Sequence, residues 1–273
     1  MMSAFPAMRF SPEKAIGKDR SKMKNIIISG CNGKMGHVIA SCILDRNDCQ
    51  TVAGIDRVAE QYARFPVYAA AADVKEQADV IIDFSHPSAL DGLLEYCKLH
   101  QTALVIATTG YSADQITRIK AAARNIPIFF SFNMSLGINL LAELAKKATA
   151  VLGGQFDIEI VEKHHNQKID APSGTALMLA DAVNSVLDEK CQYVYDRHSQ
   201  RKKRSKNEIG MHSIRGGTIV GEHDIIFAGR DEIVTLSHTA MSKEIFAVGA
   251  VNAAVFMAGK APGLYDMGDM LSE

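Results

Sequence analysis

Short apolar runs alternate with amphipathic stretches along the first half of the chain. The run at residues 25–29 is rich in isoleucine and leads into a glycine-rich turn, after which apolar residues recur at helical spacing. This order predicts a buried strand, a turn and a helix. Further apolar runs follow at 51–55, 80–85, 103–107 and 126–130. Their spacing predicts an α/β fold with a doubly wound sheet, as in Rossmann-like domains.

The pattern changes in the second half. Apolar positions recur at helical spacing over residues 135–151, and residues 156–160 then alternate between apolar and acidic. The first pattern is typical of an amphipathic helix and the second of a strand with one solvent-facing side. Another helix is expected at 176–187, and strands at 218–227 and 233–238 flank a hairpin signal. This half therefore predicts an α+β domain with a mostly antiparallel, open sheet.

The turn after the first strand carries three glycines typical of dinucleotide binding. Gly30, Gly33 and Gly36 stand between strand and helix, where backbone N–H groups can cradle a pyrophosphate. Asn32 occupies the position of the middle glycine in the usual GxGxxG spacing. Asparagine tolerates positive φ better than most residues, so we expect the turn to survive this change. A glycine turn that binds no nucleotide is the alternative.

The second predicted strand ends at Asp56, whose carboxylate can accept hydrogen bonds from the adenosine ribose and so favours NADH. Arg57 follows and could instead pair with the 2′-phosphate of NADPH, so the sequence permits both cofactors and ranks neither. Ligands bind at the carboxyl ends of strands in such sheets, which places residues after the later strands around the nicotinamide. The predicted cofactor-binding residues are Gly30, Cys31, Asn32, Gly33, Lys34, Met35, Asp56, Arg57, Phe84, Ala107, Thr108, Thr109, Ser131, Phe132, Asn133 and Met134.

Two histidines and a lysine follow the alternating strand of the second half. His164 and His165 are adjacent, Lys168 follows them, and Ser173-Gly174-Thr175 opens the next helix. Imidazole transfers protons near neutral pH, and a lysine together with the N–H groups of a helix start attracts an anion. These residues predict a site that holds a small anion while it receives a proton. Metal binding is the alternative, but the loop offers no second histidine pair at ligand spacing.

The segment from Glu162 to Ala176 reads EKHHNQKIDAPSGTA and closely resembles the E-x-H-H-x-x-K-x-D-A-P-S-G-T-A signature of the dihydrodipicolinate reductase family. The resemblance extends over nearly the whole chain after Lys24, including the stretches 108–110, 216–223 and 263–267. It implies the reduction of a cyclic dicarboxylate, 4-hydroxy-tetrahydrodipicolinate, to tetrahydrodipicolinate by NADH or NADPH. This reaction belongs to the diaminopimelate route to lysine.

The same resemblance assigns roles to residues of the loop. The implied acid/base residues are His164 and Lys168, and the implied substrate contacts are His165, Lys168, Gly174 and Thr175. Sequence does not choose between the two proton donors, because both lie in one loop. Glu162 and Asp170 are expected to orient the loop or cap the next helix. The histidines predicted to be structural or surface residues are His86, His212, His223 and His238.

Two positions depart from the family pattern. Ala107 replaces a glycine, which matters little if only its backbone touches the cofactor. Lys243 replaces an arginine, so the charge is kept while bidentate geometry is lost, and a cofactor contact from this position is not assigned.

The predicted domains follow from these features. Residues 24–135 and 244–273 are expected to form the dinucleotide-binding domain, because the small-residue helix at 246–257 should pack back on the first half. Residues 136–243 would form the substrate-binding and oligomerisation domain, whose open sheet could pair with copies of itself in a homotetramer. Residues 1–23 are predicted to be a disordered extension, with an organelle transit peptide as the alternative.

The composition limits the expected location and partners of the protein. Thirty basic and thirty-one acidic residues give a net charge of −1, which provides no general attraction to nucleic acid or anionic membrane. The basic segment 197–208 is interpreted as a solvated loop rather than a nucleic-acid patch. Five cysteines form no CxxC pair, and no apolar run reaches the roughly 18 residues of a membrane span. We therefore expect a cytoplasmic protein with reduced thiols, no metal site and no nucleic-acid or membrane partner.

Two other functions fit the same fold. A dehydrogenase for a different small dicarboxylate or amino acid is disfavoured by the His-His-Lys loop and the Ser-Gly-Thr helix start. A non-catalytic nucleotide sensor is disfavoured because it needs neither a proton donor nor an anion site.

Overall fold

A computed structural model describes residues 23–273. The predicted N-terminal extension, apart from Met23, lies outside the described residues. Within the described part, no helix combines the length and the apolar character that a membrane span requires.

Strands and helices alternate through most of the described chain. The strands are β1 (Lys24–Ser29), β2 (Cys49–Ile55), β3 (Val67–Tyr68), β4 (Val80–Asp83), β5 (Ala103–Ile106), β6 (Pro127–Phe130), β7 (Asp157–His164), β8 (Gln192–Val194), β9 (Glu208–Arg215), β10 (Gly221–Ala228), β11 (Ile233–Ala240) and β12 (Gly263–Tyr265). The helices are α1 (Lys34–Leu44), α2 (Leu90–His100), α3 (Ala113–Ala122), α4 (Leu136–Leu152), α5 (Gly174–Ser185), α6 (Glu244–Met257) and α7 (Met267–Ser272).

The larger sheet has seven strands in the order β12-β6-β5-β4-β1-β2-β3. Every pairing in it is parallel. Consecutive isoleucines of β1 face opposite sides, with Ile26 and Ile28 packing in one core and Ile27 in the other. Both faces are therefore covered, which explains why the strands read as continuous apolar runs. The predicted doubly wound α/β fold is confirmed.

Four helices cover the two faces of this sheet. Residues of α1 and α6 fill the core on one side, and residues of α2 and α3 fill the core on the other. The small-residue helix near the C-terminus thus packs against the first half of the chain, as predicted. The strand order reverses direction between β1 and β4, which is where open α/β sheets bind ligands beyond the strand ends.

The smaller sheet has five strands in the order β11-β10-β7-β9-β8. We predicted mostly antiparallel pairing, and the structure corrects this to a mixed sheet. β10 pairs antiparallel with β7 and β11, whereas β9 pairs parallel with β7 and β8. The long connection that carries α5 returns the chain in the same direction, and a connection of that length is what parallel pairing requires. The helices α4 and α5 pack on the inner face.

The sequence pattern did not reveal β8 and β9. Four consecutive residues at the start of β9 are buried and the next three are exposed, so the strand lacks the alternation on which the prediction relied. The preceding basic segment is held by acidic residues of the sheet. Arg204 donates to Asp157 and Glu159, and Arg197 donates to Glu159 and Glu208.

Candidate active site

The glycine turn depends on close backbone packing. Gly30 has a φ of 80°, and a Cβ there would lie 2.4 Å from the Phe84 carbonyl oxygen. A Cβ at Gly36 would lie 2.3 Å from the carbonyl oxygen of Gly30, so the helix can begin against the turn only with glycine at this position. Gly33 precedes α1 without a side-chain cap, which leaves the first N–H groups of the helix available to an anion.

Asn32 does not act in the way the sequence suggested. The one non-glycine residue with positive φ in the described chain is Gln101, so the turn needs no left-handed residue at 32. The Asn32 side chain instead donates from Nδ2 to the carbonyl oxygens of Val58 (2.6 Å) and Glu60 (3.1 Å). Its N–H donates to Oδ2 of Asp56 at 3.1 Å. Asn32 thus ties the segment after β2 to the glycine turn.

A crevice of about 420 Å³ lies at the ends of β1, β2 and β4, where the strand order reverses. The predicted cofactor residues in its lining are Gly30, Asn32, Gly33, Asp56, Arg57 and Phe84. His86 also lines it and accepts a hydrogen bond from the Ser88 N–H, which caps a short turn and fits the predicted structural role. Cys31 is fully buried, and burial raises the pKa of its thiol to about 11, so only its backbone can face a ligand.

These features fit a dinucleotide. The cradle is one that any Cβ at Gly30 or Gly36 would fill, and an uncapped helix start lies beside it. Asp56 and Arg57 stand together at the end of β2, and Arg57 forms no hydrogen bond or ion pair within residues 23–273. The lining residues can therefore hold a pyrophosphate and a ribose in the manner expected of this fold.

A buried carboxylate that the sequence reasoning missed organises the neighbouring loops. Asp83 accepts hydrogen bonds from Ser85 Oγ (2.5 Å), Thr108 Oγ1 (2.8 Å) and the Tyr111 hydroxyl (3.1 Å). Burial raises the pKa of Asp83, and these hydroxyl donors oppose that effect. An acidic residue at the end of an otherwise apolar strand was the available signal. Thr108 also accepts from the Ser85 N–H at 2.9 Å, so the loops after β4 and β5 are joined.

Most of the remaining predicted cofactor residues follow β5 and β6 and have three different surroundings. Ala107 and Met134 are buried in the core, so any cofactor contact from them would be through the backbone. Ser131 donates to the Asn133 carbonyl oxygen at 2.9 Å and shapes the loop after β6. The residues of this set that line a second cavity are Thr109, Phe132 and Asn133.

This second cavity, called the histidine cavity below, has a volume of about 410 Å³. All the predicted acid/base and substrate residues line it, namely His164, His165, Lys168, Gly174 and Thr175. The structure therefore brings the loop of β7 and the start of α5 together with part of the predicted nicotinamide rim. Its wall also includes residues that the sequence did not assign to a site, among them Gly221, His223, His238 and Lys243.

His164 ends β7 and is held by Glu162 of the same strand. The Nδ1 atom of His164 lies 2.6 Å from Oε2 of Glu162, and both side chains face the inner side of the sheet. Arg215 of β9, the register partner of His164, donates from two nitrogens to the same carboxylate at 2.8 Å and 2.7 Å. Burial opposes the charge of Glu162, yet the hydrogen bonds from Arg215 and His164 outweigh it and lower the pKa to about 2.

The loop between β7 and α5 is fixed by backbone contacts. The N–H of Gly216 donates to the His164 carbonyl oxygen at 2.9 Å, and the N–H of Asn166 donates to Gly217 at 3.2 Å. Lys168 forms an ion pair with Asp170 at 2.8 Å, and the hydrogen bonds from Lys168 chiefly lower the pKa of Asp170. Asp170 therefore orients the Lys168 side chain within the loop.

Helix α5 begins at Gly174, with Ser173 as its N-cap. The Ser173 hydroxyl accepts from the Ala176 N–H at 3.1 Å, and its own N–H donates to Glu162. Pro172 precedes the cap and lies outside the helix. The N–H groups of Gly174 and Thr175 have no acceptor among the described residues, so they are available to an anion in the cavity.

His223, which we expected to be a structural or surface residue, is buried beside the predicted acid/base residues. Its ring lies in the cavity wall, 5.2 Å from the His164 ring, and its Nε2 atom is 3.1 Å from the Ser173 hydroxyl oxygen. Burial lowers the pKa of His223 to about 4, and the neighbouring His164 adds to this effect. Burial likewise lowers the pKa of His238, which lines the same cavity. Alternation in β10 was a signal that His223 faces inward.

Lys243 is also in this cavity rather than in the crevice of the glycine turn. It immediately precedes α6, and Ile245 and Phe246 line the cavity beside it. Lys243 therefore lines the same cavity as the predicted acid/base residues. Within residues 23–273, no group of three histidine, cysteine or acidic side chains has a geometry that could hold a metal ion.

Two family models match consecutive parts of the chain. The model described as the N-terminus of dihydrodipicolinate reductase matches residues 24–134. The model described as the C-terminus of the same enzyme matches residues 137–271.

Two sequence relatives cover nearly all of the described chain. A 4-hydroxy-tetrahydrodipicolinate reductase from Caldanaerobacter subterraneus subsp. tengcongensis is 53% identical over 251 residues, which are 92% of this chain and 99% of the relative. An enzyme of the same name from Clostridium tetani is 50% identical over 250 residues, with coverage of 92% and 98%.

Solved structures share the fold. A dipicolinate-bound dihydrodipicolinate reductase from Paenisporosarcina sp. TG-14 has a TM-score of 0.76 at 24% identity, covering 90% of this chain and 98% of that chain. A myo-inositol dehydrogenase from Lactobacillus casei in complex with NAD(H) and myo-inositol has a TM-score of 0.56 at 14% identity, covering 91% of both chains. At these identities the likeness establishes the architecture of the two sheets.

Proposed function

The chain belongs to the dihydrodipicolinate reductase family, and we propose that it reduces 4-hydroxy-tetrahydrodipicolinate to tetrahydrodipicolinate with NADH or NADPH. One observation carries this proposal. The histidine cavity joins two acids, His164 and Lys168, and the first N–H groups of α5 to residues of the loops beyond the larger sheet. The reaction is a step in the diaminopimelate route of lysine biosynthesis.

The crevice at the glycine turn is the proposed cofactor site. The N–H groups at the start of α1, from Lys34 and Met35, hold the pyrophosphate, and Asp56 binds the adenosine ribose. Arg57 is free to meet a 2′-phosphate, so we propose that both NADH and NADPH are used. The reduced nicotinamide supplies a hydride when it is bound. Thr109, Phe132 and Asn133 would lie beside the nicotinamide, because they line the histidine cavity.

The dicarboxylate is held at the start of α5. The N–H groups of Gly174 and Thr175 and the Thr175 hydroxyl donate to one carboxylate, as charge-assisted hydrogen bonds that are stronger than neutral ones. Lys168 supplies the neutralising charge and His165 a further contact. Asp170 keeps the Lys168 ammonium at the cavity wall before the substrate arrives.

Protonation of the reduced ring is the task of His164 and Lys168. The 4-hydroxyl group leaves as water, and addition of a hydride to the unsaturated ring leaves an electron-rich carbon that must take up a proton. A positioned acid accelerates such a protonation by about 10²–10⁴-fold. The Nε2 atom of His164 lies beside Gly221, where an added Cβ would be 3.1 Å away. Glycine at this position therefore leaves room for substrate at the imidazole.

The outer face of the smaller sheet is the proposed tetramer interface. Ile233, Thr235, Ser237 and Thr239 of β11 are exposed on it, whereas both helices of this half cover the inner face. An uncovered sheet face of this kind can pair with a second copy. Light scattering combined with size-exclusion chromatography would test the tetramer.

All five cysteines are unpaired, which supports a location in the reducing cytoplasm.

The activity can be tested with substrate generated in place. A dihydrodipicolinate synthase supplied with pyruvate and aspartate semialdehyde provides it, and the loss of NADH or NADPH absorbance reports turnover. We expect oxidation of both cofactors that depends on the synthase. Cofactor oxidation no faster than in a reaction lacking this chain would contradict the proposed function.

A further inference from the structure

The Glu162 carboxylate has every acceptor position filled by a donor. Its Oε1 atom accepts from the Ser173 N–H (3.1 Å) and from one Arg215 nitrogen (2.7 Å). Its Oε2 atom accepts from the other Arg215 nitrogen (2.8 Å) and lies 2.6 Å from His164 Nδ1. The side chain is 1% exposed, so no solvent competes for these contacts. Glu162 therefore connects β7, β9 and the start of α5 at one buried charge.

This arrangement decides which nitrogen of His164 carries the fixed proton. An ionised carboxylate only accepts hydrogen bonds, and Glu162 stays ionised because Arg215 donates to both of its oxygens. The proton between His164 and Glu162 must consequently reside on Nδ1. The other ring nitrogen, Nε2, is then the one that can accept, carry and release a proton on the cavity side, beside Gly221.

We propose that Arg215 and Glu162 are positioning residues that fix the Nδ1–H tautomer of His164 and reserve its Nε2 for proton transfer. This inference rests on the proposed function only for the identity of the proton acceptor. Arg215 acts twice, because one of its nitrogens also donates to the Asp170 carbonyl oxygen at 2.7 Å and anchors the lysine loop. Neither residue lines the histidine cavity. Glu162 therefore acts through His164, and Arg215 acts through His164 and the lysine loop.

Several charged or titratable groups contact the His164 ring, lie in the loop that follows it or line the same cavity. They are Glu162 on β7, Arg215 on β9, His223 on β10 and, in the loop and beside the cavity, Lys168, Asp170, His238 and Lys243. Glu162 is the one carboxylate in this group that contacts the ring. Removing its charge should therefore weaken the preference for a proton on Nδ1 and change the pH profile of kcat.

The first test is the substitution Glu162→Gln, which keeps the shape of the side chain and removes its charge. We expect kcat to fall about 100-fold, the low end of what a positioned acid contributes, and its pH profile to change. The dissociation constant for NADH should stay within about twofold, because Glu162 is remote from the crevice of the glycine turn. Arg215→Met should lower kcat similarly, and Arg215→Lys should recover part of the loss because it keeps a donor and the charge.

Glu159 offers a matched control on the same strand. It accepts from Arg197 and Arg204 and lies 2.7 Å from His212 Nε2, on the outer face of the sheet. Glu159→Gln therefore removes the negative charge from a comparable Glu–Arg–His cluster, and Glu159 does not line the histidine cavity. This substitution should leave the pH profile of kcat unchanged. A profile shifted equally by both variants would mean that the effect of Glu162 is merely structural and would overturn the proposal.

The tautomer can be measured without turnover. The ¹⁵N chemical shifts of the His164 ring nitrogens in the substrate-free wild-type protein should show a proton on Nδ1 at neutral and higher pH. A proton on Nε2 instead, or a kcat and pH profile of Glu162→Gln close to those of the wild type, would overturn the inference. Failure of the wild-type protein to oxidise cofactor would reject the proposed function alone, since the ring shifts still report the tautomer. The wild-type shifts also decide the matter if a variant does not fold.

Discussion

The side-chain amide of Asn133 donates a hydrogen bond to the hydroxyl of Thr175 at 3.0 Å. Asn133 follows the last strand of the first half, and Thr175 lies in the first turn of α5. The Asn133 oxygen accepts in turn from the Ser135 N–H at 2.9 Å, so the amide is fixed in one orientation. This contact joins the proposed nicotinamide side of the histidine cavity to the anion-binding side.

Replacing Thr175 by valine removes the hydroxyl and keeps the shape of the side chain. We expect the KM for the dicarboxylate to rise about tenfold, because a hydrogen bond to a charged group contributes about 1.5–3 kcal/mol. Steady-state kinetics with the coupled synthase assay measure this change. Thr175→Ser retains the hydroxyl and should stay near the wild type. Equal KM values for the valine and serine variants would refute a role for the hydroxyl.

The proposed acids can be separated from cofactor binding. His164→Gln and Lys168→Ala should each lower kcat by about 10²–10⁴-fold, because each removes a group proposed to protonate or hold the reduced ring. Fluorescence titration with NADH should give a dissociation constant close to that of the wild type, since both residues lie outside the crevice of the glycine turn. Near-normal turnover in both variants would show that the proton comes from elsewhere.

The end of β2 should decide the choice of cofactor. Asp56→Ala removes the proposed ribose acceptor and should raise the KM for NADH about tenfold, with a smaller effect on NADPH. Arg57→Ala should raise the KM for NADPH and leave that for NADH unchanged, because only NADPH carries the 2′-phosphate. Asp56 also accepts from the Asn32 N–H, so the thermal stability of Asp56→Ala is the necessary control. If neither substitution changed the ratio of the KM values for NADH and NADPH, that result would argue against this end of the crevice as the adenosine site.

His223 makes stability depend on pH in a defined window. Burial and the neighbouring His164 lower its pKa from 6.5 to about 4 in the folded protein. The unfolded chain therefore takes up a proton as the pH falls below 6.5, while the folded protein does not until about pH 4. Stability present above pH 6.5 is thus lost toward pH 4, by up to about 3 kcal/mol from this residue.

Urea unfolding of the wild type and of His223→Gln between pH 4 and 7 isolates this effect. The difference in unfolding free energy between the two proteins should change across the window, with the wild type losing stability faster on acidification. Glu162 contributes stability that is lost only as the pH falls from its ordinary pKa of 4.5 toward the folded value of about 2. Because both proteins retain Glu162, this loss is common to them and cancels in the difference. Parallel curves for the two proteins would contradict the assignment of a neutral, buried His223.

Local sequence determined much of this protein. Isoleucine-rich runs such as 26–28 require burial on both faces, and the intervening helices supply it, so the parallel sheet could be predicted. The glycine turn could also be predicted, because the atoms immediately around Gly30 and Gly36 leave no room for a side chain at these positions. The resemblance of the segment 162–176 then indicated the acids and the anion site, and these residues do line one cavity.

Strand register decided what the sequence left open. Glu162 could be a loop-orienting or a capping residue until β7 paired with β9 and brought Arg215, 53 positions away, onto its carboxylate. In the same way, antiparallel pairing of β7 with β10 placed His223 against His164 and Ser173. A local sequence pattern shows the spacing at which side chains are buried and the chemistry of a turn. Such a pattern does not show which buried polar groups contact each other, because those contacts depend on the pairing between strands that are distant in sequence. In this protein the pairing makes His164 part of a network of charges.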